Sequence, residues 1–228
     1  MPGFVKRYAD AATASEAVRR ASILRRQGVP TPAAQPGGEE PVAVFDRLAG
    51  TDGSVLLPNG ITSLLRPVAV LHRASVPALA PFDPLLRVRP RLALATSQEV
   101  RGVADELAPS GTATLHGDLH VRQFVVEPND AVWIVDLDDL AIGPPEADLA
   151  NFAAHLATSR PDRSITEWSG TVRSAWNVLG EACDEAAFVR SLRFALARRH
   201  LKLREAGRPD FEAEVEAYLR DSSNFAIR

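Results

Sequence analysis

The stretch from Thr114 to Asp148 limits this chain more than any other part of it. It opens TLHGDLHVRQFVV, continues AVWIVDLDDLAIG and runs into PPEADLANF. Two short apolar runs, Gln123 to Val126 and Val132 to Val135, are separated by the turn residues Pro128, Asn129 and Asp130. That pattern predicts a hairpin, and its ends bring Asp118 and Asp136 close together. Asp138, Asp139, Glu146 and Asp148 crowd into the same stretch with His116 and His120. Carboxylates at the ends of short buried strands are costly to desolvate unless a metal, a proton or a partner group compensates. The cluster therefore points to chemistry.

A chain of 228 residues supports one substantial core or two small lobes. A net charge of -3 gives no reason to expect a nucleic-acid partner. The lone cysteine, Cys183, excludes an internal disulfide framework and fits a reducing compartment. The N-terminal residues MPGFVKRYAD lack the apolar core of a signal peptide, and Arg, Pro or Asp interrupts every apolar run before it reaches membrane-spanning length. A cytoplasmic enzyme without a membrane partner is the expectation.

Along the chain, Gly3 to Tyr8 reads as a strand containing Lys6, and Thr13 to Gln27 as an amphipathic helix stopped by Gly28. Pro41 to Phe45 reads as a second strand. At Asp52-Gly53 the pattern turns from strand-rich to helix-rich, so residues 1–50 and 51–228 are the expected lobes. Helices are predicted over Ile61 to His72, Ser97 to Leu107, Glu146 to Ala157, Ile165 to Cys183, Glu185 to Ala206 and Pro209 to Leu219. Between the first two of these, Ser75 to Pro90 carries four prolines and suits only an ordered crossing. The fold class is α+β. It is neither a doubly wound sheet nor a β-sandwich.

His116-Gly117-Asp118 followed by Gln123 has the spacing of a kinase catalytic loop, and Asp136 follows 13 residues later. Phosphoryl transfer needs one carboxylate to orient an acceptor hydroxyl and take its proton. It needs a separate carboxylate and an amide oxygen to hold magnesium on the nucleotide phosphates.

With these residues in place, HGDLHVRQ and IVDLDDLAIGPPEADLANF resemble the aminoglycoside phosphotransferase and choline kinase family, a branch of the protein-kinase-like two-lobe fold. The resemblance implies ATP and magnesium as cofactors and a small-molecule hydroxyl as substrate. It makes Asp118 the catalytic base, Asp136 the principal magnesium ligand, Gln123 the amide ligand in place of the usual Asn, and Asp138 a second acidic helper. Lys6 in FVKRY resembles the strand lysine that contacts nucleotide phosphates, and Glu16 its ion-pair partner. His116 and Asp148 are implied to brace the loop. Family members place two strands and a glycine-rich turn ahead of that lysine, where this sequence has five residues. The expectation is a truncated N-terminal β lobe above a mainly helical lobe holding the catalytic hairpin, with three alternatives open: the start is cut short, a partner chain or dimer completes the lobe, or nucleotide binding is weakened or lost.

Other readings stand beside this one. Thr13-Ala14-Ser15-Glu16 has the form of a capping box, which would give Glu16 a purely structural task. His116, Asp118 and His120 alternate like ligands on one strand face, and with Asp136 and Asp138 could form the metal centre of a hydrolase. A non-catalytic kinase-like binding protein is the third. His200, inside the run Arg198-Arg199-His200, is expected on a solvated helix face, and Trp168 and Trp176 in the core or a pocket wall. From Arg160 onward 12 Arg or Lys face 11 Asp or Glu, a balance that does not favour a polycationic acceptor.

Overall fold

Phe124–Val126 (β6) and Val132–Ile134 (β7) form the predicted hairpin, with Phe124 opposite Ile134 and Val126 opposite Val132. Its turn closes because Asp130 adopts a left-handed conformation (φ 63°) and Asn129 accepts a hydrogen bond from the Ala131 amide at 3.1 Å. Asn and Asp tolerate that region better than other residues with a Cβ. Phe124 and Ile134 are fully buried beneath it. The structure, a computed structural model, describes residues 3–38, 41–86, 88, 91, 100, 102–103, 111–160, 162–207 and 212–221. The helix expected over 97–107 and the end of the proline-rich crossing fall largely outside these residues.

Two ladders that the sequence did not suggest flank the hairpin. Thr51–Asp52 (β4) pairs with the outer side of β6, and Ala113–Leu115 (β5) pairs with Ala141–Gly143 (β8). The second ladder matters for function. β5 ends just before His116 and β8 begins just after Asp139, so their pairing folds the two acidic loops side by side.

Ahead of these lies a three-stranded antiparallel sheet in the order β1-β3-β2, made of Phe4–Arg7 (β1), Ala34–Pro36 (β2) and Val42–Phe45 (β3). Helix α1 (Ala11–Arg26) packs on it through Ala14, Ala21 and Leu24. Its cap is Asp10, whose side chain accepts from Thr13 N at 2.7 Å. The Thr13–Glu16 capping box is therefore replaced: Asp10 sits three residues ahead of Thr13 and already satisfies that amide.

The remaining described helices are α2 (Ile61–Arg73), α3 (Pro145–Ser159), α4 (Ile165–Val178), α5 (Glu185–Glu205) and α6 (Glu212–Arg220). Helix α3 lies at the centre of this group, against α4 and α5. Its Leu149, Ala150, Phe152, Ala153, Ala154 and Leu156 are all buried, each large side chain contributing about 1.5–3 kcal/mol. Helix α4 ends at Val178 rather than reaching Cys183, because Gly180 takes a left-handed conformation (φ 78°) and closes the last turn. Trp168 and Trp176 are core residues, with indole N–H groups donating to Arg160 O at 3.2 Å and Ala182 O at 3.1 Å. The solvated face expected for 198–200 is not found. Arg198 is 5% and His200 1% exposed, since α5 is covered on more than one side.

Candidate active site

The loop after β5 turns sharply at Gly117 (φ 82°), where a Cβ would lie 2.1 Å from the Asp139 carbonyl oxygen. Only glycine fits there. The loop is held from beneath by Asp148 on the first turn of α3, which accepts from His116 N at 2.7 Å, Gly117 N at 3.0 Å and His72 Nε2 at 3.0 Å. Burial pushes the Asp148 carboxyl upward, but the His72 hydrogen bond, His116 and the backbone amide hold it below the ordinary value. Asn151, one turn along α3, donates to Leu119 O at 2.8 Å.

His116 ties the two acidic segments together. Its Nε2 lies 3.0 Å from Val135 O, and its Nδ1 lies 3.4 Å from the Asp118 amide. A carbonyl can only accept, so Nε2 carries the proton and Nδ1 is the acceptor. The backbone of Asp118 and the residue before Asp136 thus stand one imidazole apart. Val135 N donates to Gln123 O at 2.9 Å, closing the frame. Asp136 itself sits in a left-handed conformation (φ 61°, ψ 56°), and the turn Leu137–Asp139 follows it.

Lys6 reaches this turn from β1. Its ammonium pairs with Asp136 Oδ1 and, at 2.7 Å, with Asp138 Oδ2, while Tyr8 donates to Asp138 Oδ1 at 3.2 Å. Gln123 Nε2 donates to Asp136 Oδ2 at 3.2 Å. Burial opposes the charge on both sides of the Lys6–Asp136 pair, yet the bond between them keeps the lysine above its ordinary pKa and the carboxyl below. Tyr8, half-buried beside Asp138, is pushed up to about 12.

Glu16 does not pair with Lys6 among the described residues. It takes Arg19 (2.6 Å and 2.7 Å) and Arg20 (2.7 Å) one turn along its own helix, where i,i+3 and i,i+4 spacing brings side chains together. The Arg19 hydrogen bonds lead in lowering its pKa to about 2. Arg20 also approaches Asp138 O at 3.5 Å, so Glu16 steadies an arginine at the edge of the acidic turn.

Between the β1-β3-β2 sheet and the hairpin lies a cavity of about 660 Å³, a size typical of small-molecule sites. Its walls include the apolar residues Val5, Ala21, Phe45 and Val125, and Lys6 and Asp136 stand among its polar groups. An apolar slot beside a cation and two carboxylates suits a planar base followed by phosphates.

The alternating histidines do not gather into a metal centre. His116 has both ring nitrogens engaged, and His120 stacks on His155 at 4.7 Å. Among the described residues no three His, Cys, Asp or Glu side chains converge as a metal site. Asp136 and Asp138 offer carboxylate oxygens already gathered around the Lys6 cation, while Gln123 turns its amide nitrogen to Asp136 and would have to rotate its amide to add an oxygen. Hard oxygen donors of this kind suit magnesium, which keeps waters and substrate phosphates in its shell.

Three contributors escaped the sequence reading: His72, Tyr8 and Arg198. Arg198 carried a signal, since it continues the Phe188, Ser191, Ala195 spacing of the buried face of α5.

The family model described as the phosphotransferase enzyme family, APH, matches residues 4–182. The chain belongs to this family. Among solved structures of the same fold, an amicoumacin kinase in complex with AMP-PNP, Ca2+ and Ami superposes with a TM-score of 0.66 at 13% identity, covering 97% of this chain and 81% of that one. Choline kinase LicA from Streptococcus pneumoniae gives 0.61 at 13%, covering 98% and 85%. An aminoglycoside phosphotransferase from Streptomyces rimosus, solved with ADP and streptomycin, gives 0.61 at 19%, covering 86% and 85%. A search of curated protein sequences gave no significant match. The phosphotransferase family and these kinase-like neighbours agree with the α+β, two-lobe reading of the sequence.

Proposed function

We propose that this chain is an ATP- and magnesium-dependent phosphotransferase acting on a hydroxyl of a small molecule. The observation that carries the proposal is the imidazole of His116, which spans the Asp118 amide and Val135 carbonyl beside the Lys6-lined cavity. In this reading Asp118 orients the acceptor hydroxyl and takes its proton as the oxygen bonds to the γ-phosphorus and ADP leaves. Asp136, Asp138 and Gln123 would hold magnesium, which when bound neutralises charge on the phosphates. Lys6 would move from the carboxylates to a phosphate. Glu16 keeps Arg20 in place behind the acidic turn. No described helix is long and apolar enough to cross a membrane, and the reading places the enzyme in the cytoplasm. Strand β1, at one edge of its sheet with Phe4 and Val5 exposed, is where a partner chain would add strands over the nucleotide.

A second reading has a specific observation behind it. Asp118 and Asp136 both carry a basic partner, Arg198 and Lys6, as a kinase-like binding protein without turnover would tolerate. Thermal-shift titration with ATP, then with magnesium, combined with an ADP-release assay over a panel of alcohols, separates the two. The phosphotransferase is stabilised by both together and turns over. Asp118→Ala should lower turnover by about 10²–10⁴-fold while keeping the nucleotide-dependent stabilisation. Full turnover in that variant would remove Asp118 from the role of base.

A further inference from the structure

Helix α5 brings to the catalytic loop a guanidinium that the Thr114–Asp148 stretch does not supply. Arg198 Nη2 donates to Asp118 Oδ1 across 80 residues of sequence, and the arginine is only 5% exposed. Its Nε is buried with no hydrogen-bond partner among the described residues. The family match ends at residue 182, before α5 begins at Glu185. A guanidinium is expensive to bury unless a charge answers it, so the pair is a built element of the loop rather than a surface contact. Arg198, Ser191 and Phe194 line a narrow crevice with Gly117 and Asn151, against the loop that carries Asp118.

Other carboxylates on this side are engaged. Asp148 holds the loop amides, Glu146 accepts from Asp184 N at 2.8 Å, and Asp184 caps α5. Arg199 and Lys202, on the same helix as Arg198, add positive potential at His120, and Arg199 does so at His155, which stacks on it. At the base itself the charge of Asp118 is answered by Arg198.

We infer that Arg198 is a positioning and specificity-determining residue of the acceptor site. Its hydrogen bond fixes the rotation of the Asp118 carboxylate. Its charge cancels the negative field that a cationic acceptor would need, so the acceptor is a neutral or anionic alcohol and not a polyamine. The inference rests on the phosphotransferase reading above.

The experiment uses the whole chain and follows ADP release from magnesium-ATP with water as acceptor. It compares wild type, Arg198→Met, Arg198→Lys, Asp118→Asn and the double variant Asp118→Asn/Arg198→Met. Arg198→Met should lower kcat about 100-fold, the size of effect that misplacing a reacting group produces, with KM for ATP unchanged. Arg198→Lys, which keeps the charge and protects against misfolding, should recover part of the loss. In the Asp118→Asn background, Arg198→Met should change the residual rate by less than about threefold, because a residue acting through another has nothing left to position. Equal losses in both backgrounds overturn the positioning role. Calorimetric titration with kanamycin, a polyamine, tests the specificity: wild type should bind it only weakly, and Arg198→Met at least about tenfold more tightly. Micromolar kanamycin binding to wild type, or no gain in the variant, overturns that part. If Asp118→Asn releases ADP at the wild-type rate, it is the assignment of the base that fails.

Discussion

Replacing Asp148 asks whether a single carboxylate holds the loop around Asp118. That residue is 1% exposed, and its side chain accepts hydrogen bonds from two backbone amides and the His72 ring. Asp148→Ala strands all three donors. Each stranded buried donor costs about 1–3 kcal/mol; if two stay dry and water relieves the third, the loss is about 4 kcal/mol. That is a large share of a typical stability of about 5–15 kcal/mol. Asp148→Asn keeps the shape and one acceptor oxygen, and should cost about 2 kcal/mol. In urea, with a slope near 3 kcal/mol per molar, the Ala variant's midpoint should fall by about 1.3 M. The pH dependence has a definite sign. The folded carboxyl titrates below its ordinary 3.8, so its contribution is complete above about pH 4 and fades as pH falls through the folded value. The gap between wild type and Asp148→Asn should narrow in acid. A loss under about 1 kcal/mol for Ala, or equal losses for Ala and Asn, would refute the account.

Gly117→Ala should destabilise by at least about 2 kcal/mol, because its Cβ would meet the Asp139 carbonyl. Gly28→Ala is the control, with a similar φ of 83° but nothing within 4 Å, and should cost about 1 kcal/mol; urea midpoints compare them. Lys6→Met should raise KM for ATP at least about tenfold, since both carboxylates lose their cation, and an unchanged KM in steady-state kinetics counts against a phosphate-binding role. His155, pushed down to about 3 by burial and then by Arg199, stays neutral in the folded chain while the unfolded chain protonates it below about pH 6.5. Stability therefore drops as pH falls between those values, and His155→Gln should flatten that part of the pH–stability curve measured by urea unfolding.

The sequence was most legible where one local pattern decided the outcome. The β6–β7 hairpin followed from two β-branched runs around a Pro-Asn-Asp turn, and α1 from apolar periodicity stopped at Gly28. The spacing from His116 to Gln123 could be read because it is local too. Pairings between distant segments were not. Nothing near Thr51 announces β6 as its partner, and the β5–β8 ladder joins two three-residue strands too short to show alternation. Charge partners followed the same rule. The Lys6–Asp136 pair crosses 130 residues, and Glu16 turned instead to Arg19 and Arg20, the nearest arginines on its own helix. Arg198 looked like part of a solvated basic run because it is flanked by charge, although its helical phase was that of a buried residue.

The left-handed aspartate at 136 has a practical meaning for anyone who wants to change what this protein accepts. Its backbone is set by the Val135 amide on Gln123 O and the Val135 carbonyl on His116 Nε2, and its carboxylate by Lys6 and Gln123. A laboratory selection for new acceptors therefore has little to gain from randomising residues 116–139, where most changes would cost the backbone frame. The productive library lies at the crevice positions of α5 other than Arg198, Ser191 and Phe194 among them, and on the segment around Phe82 and Pro84, which face the reacting loop from outside that frame.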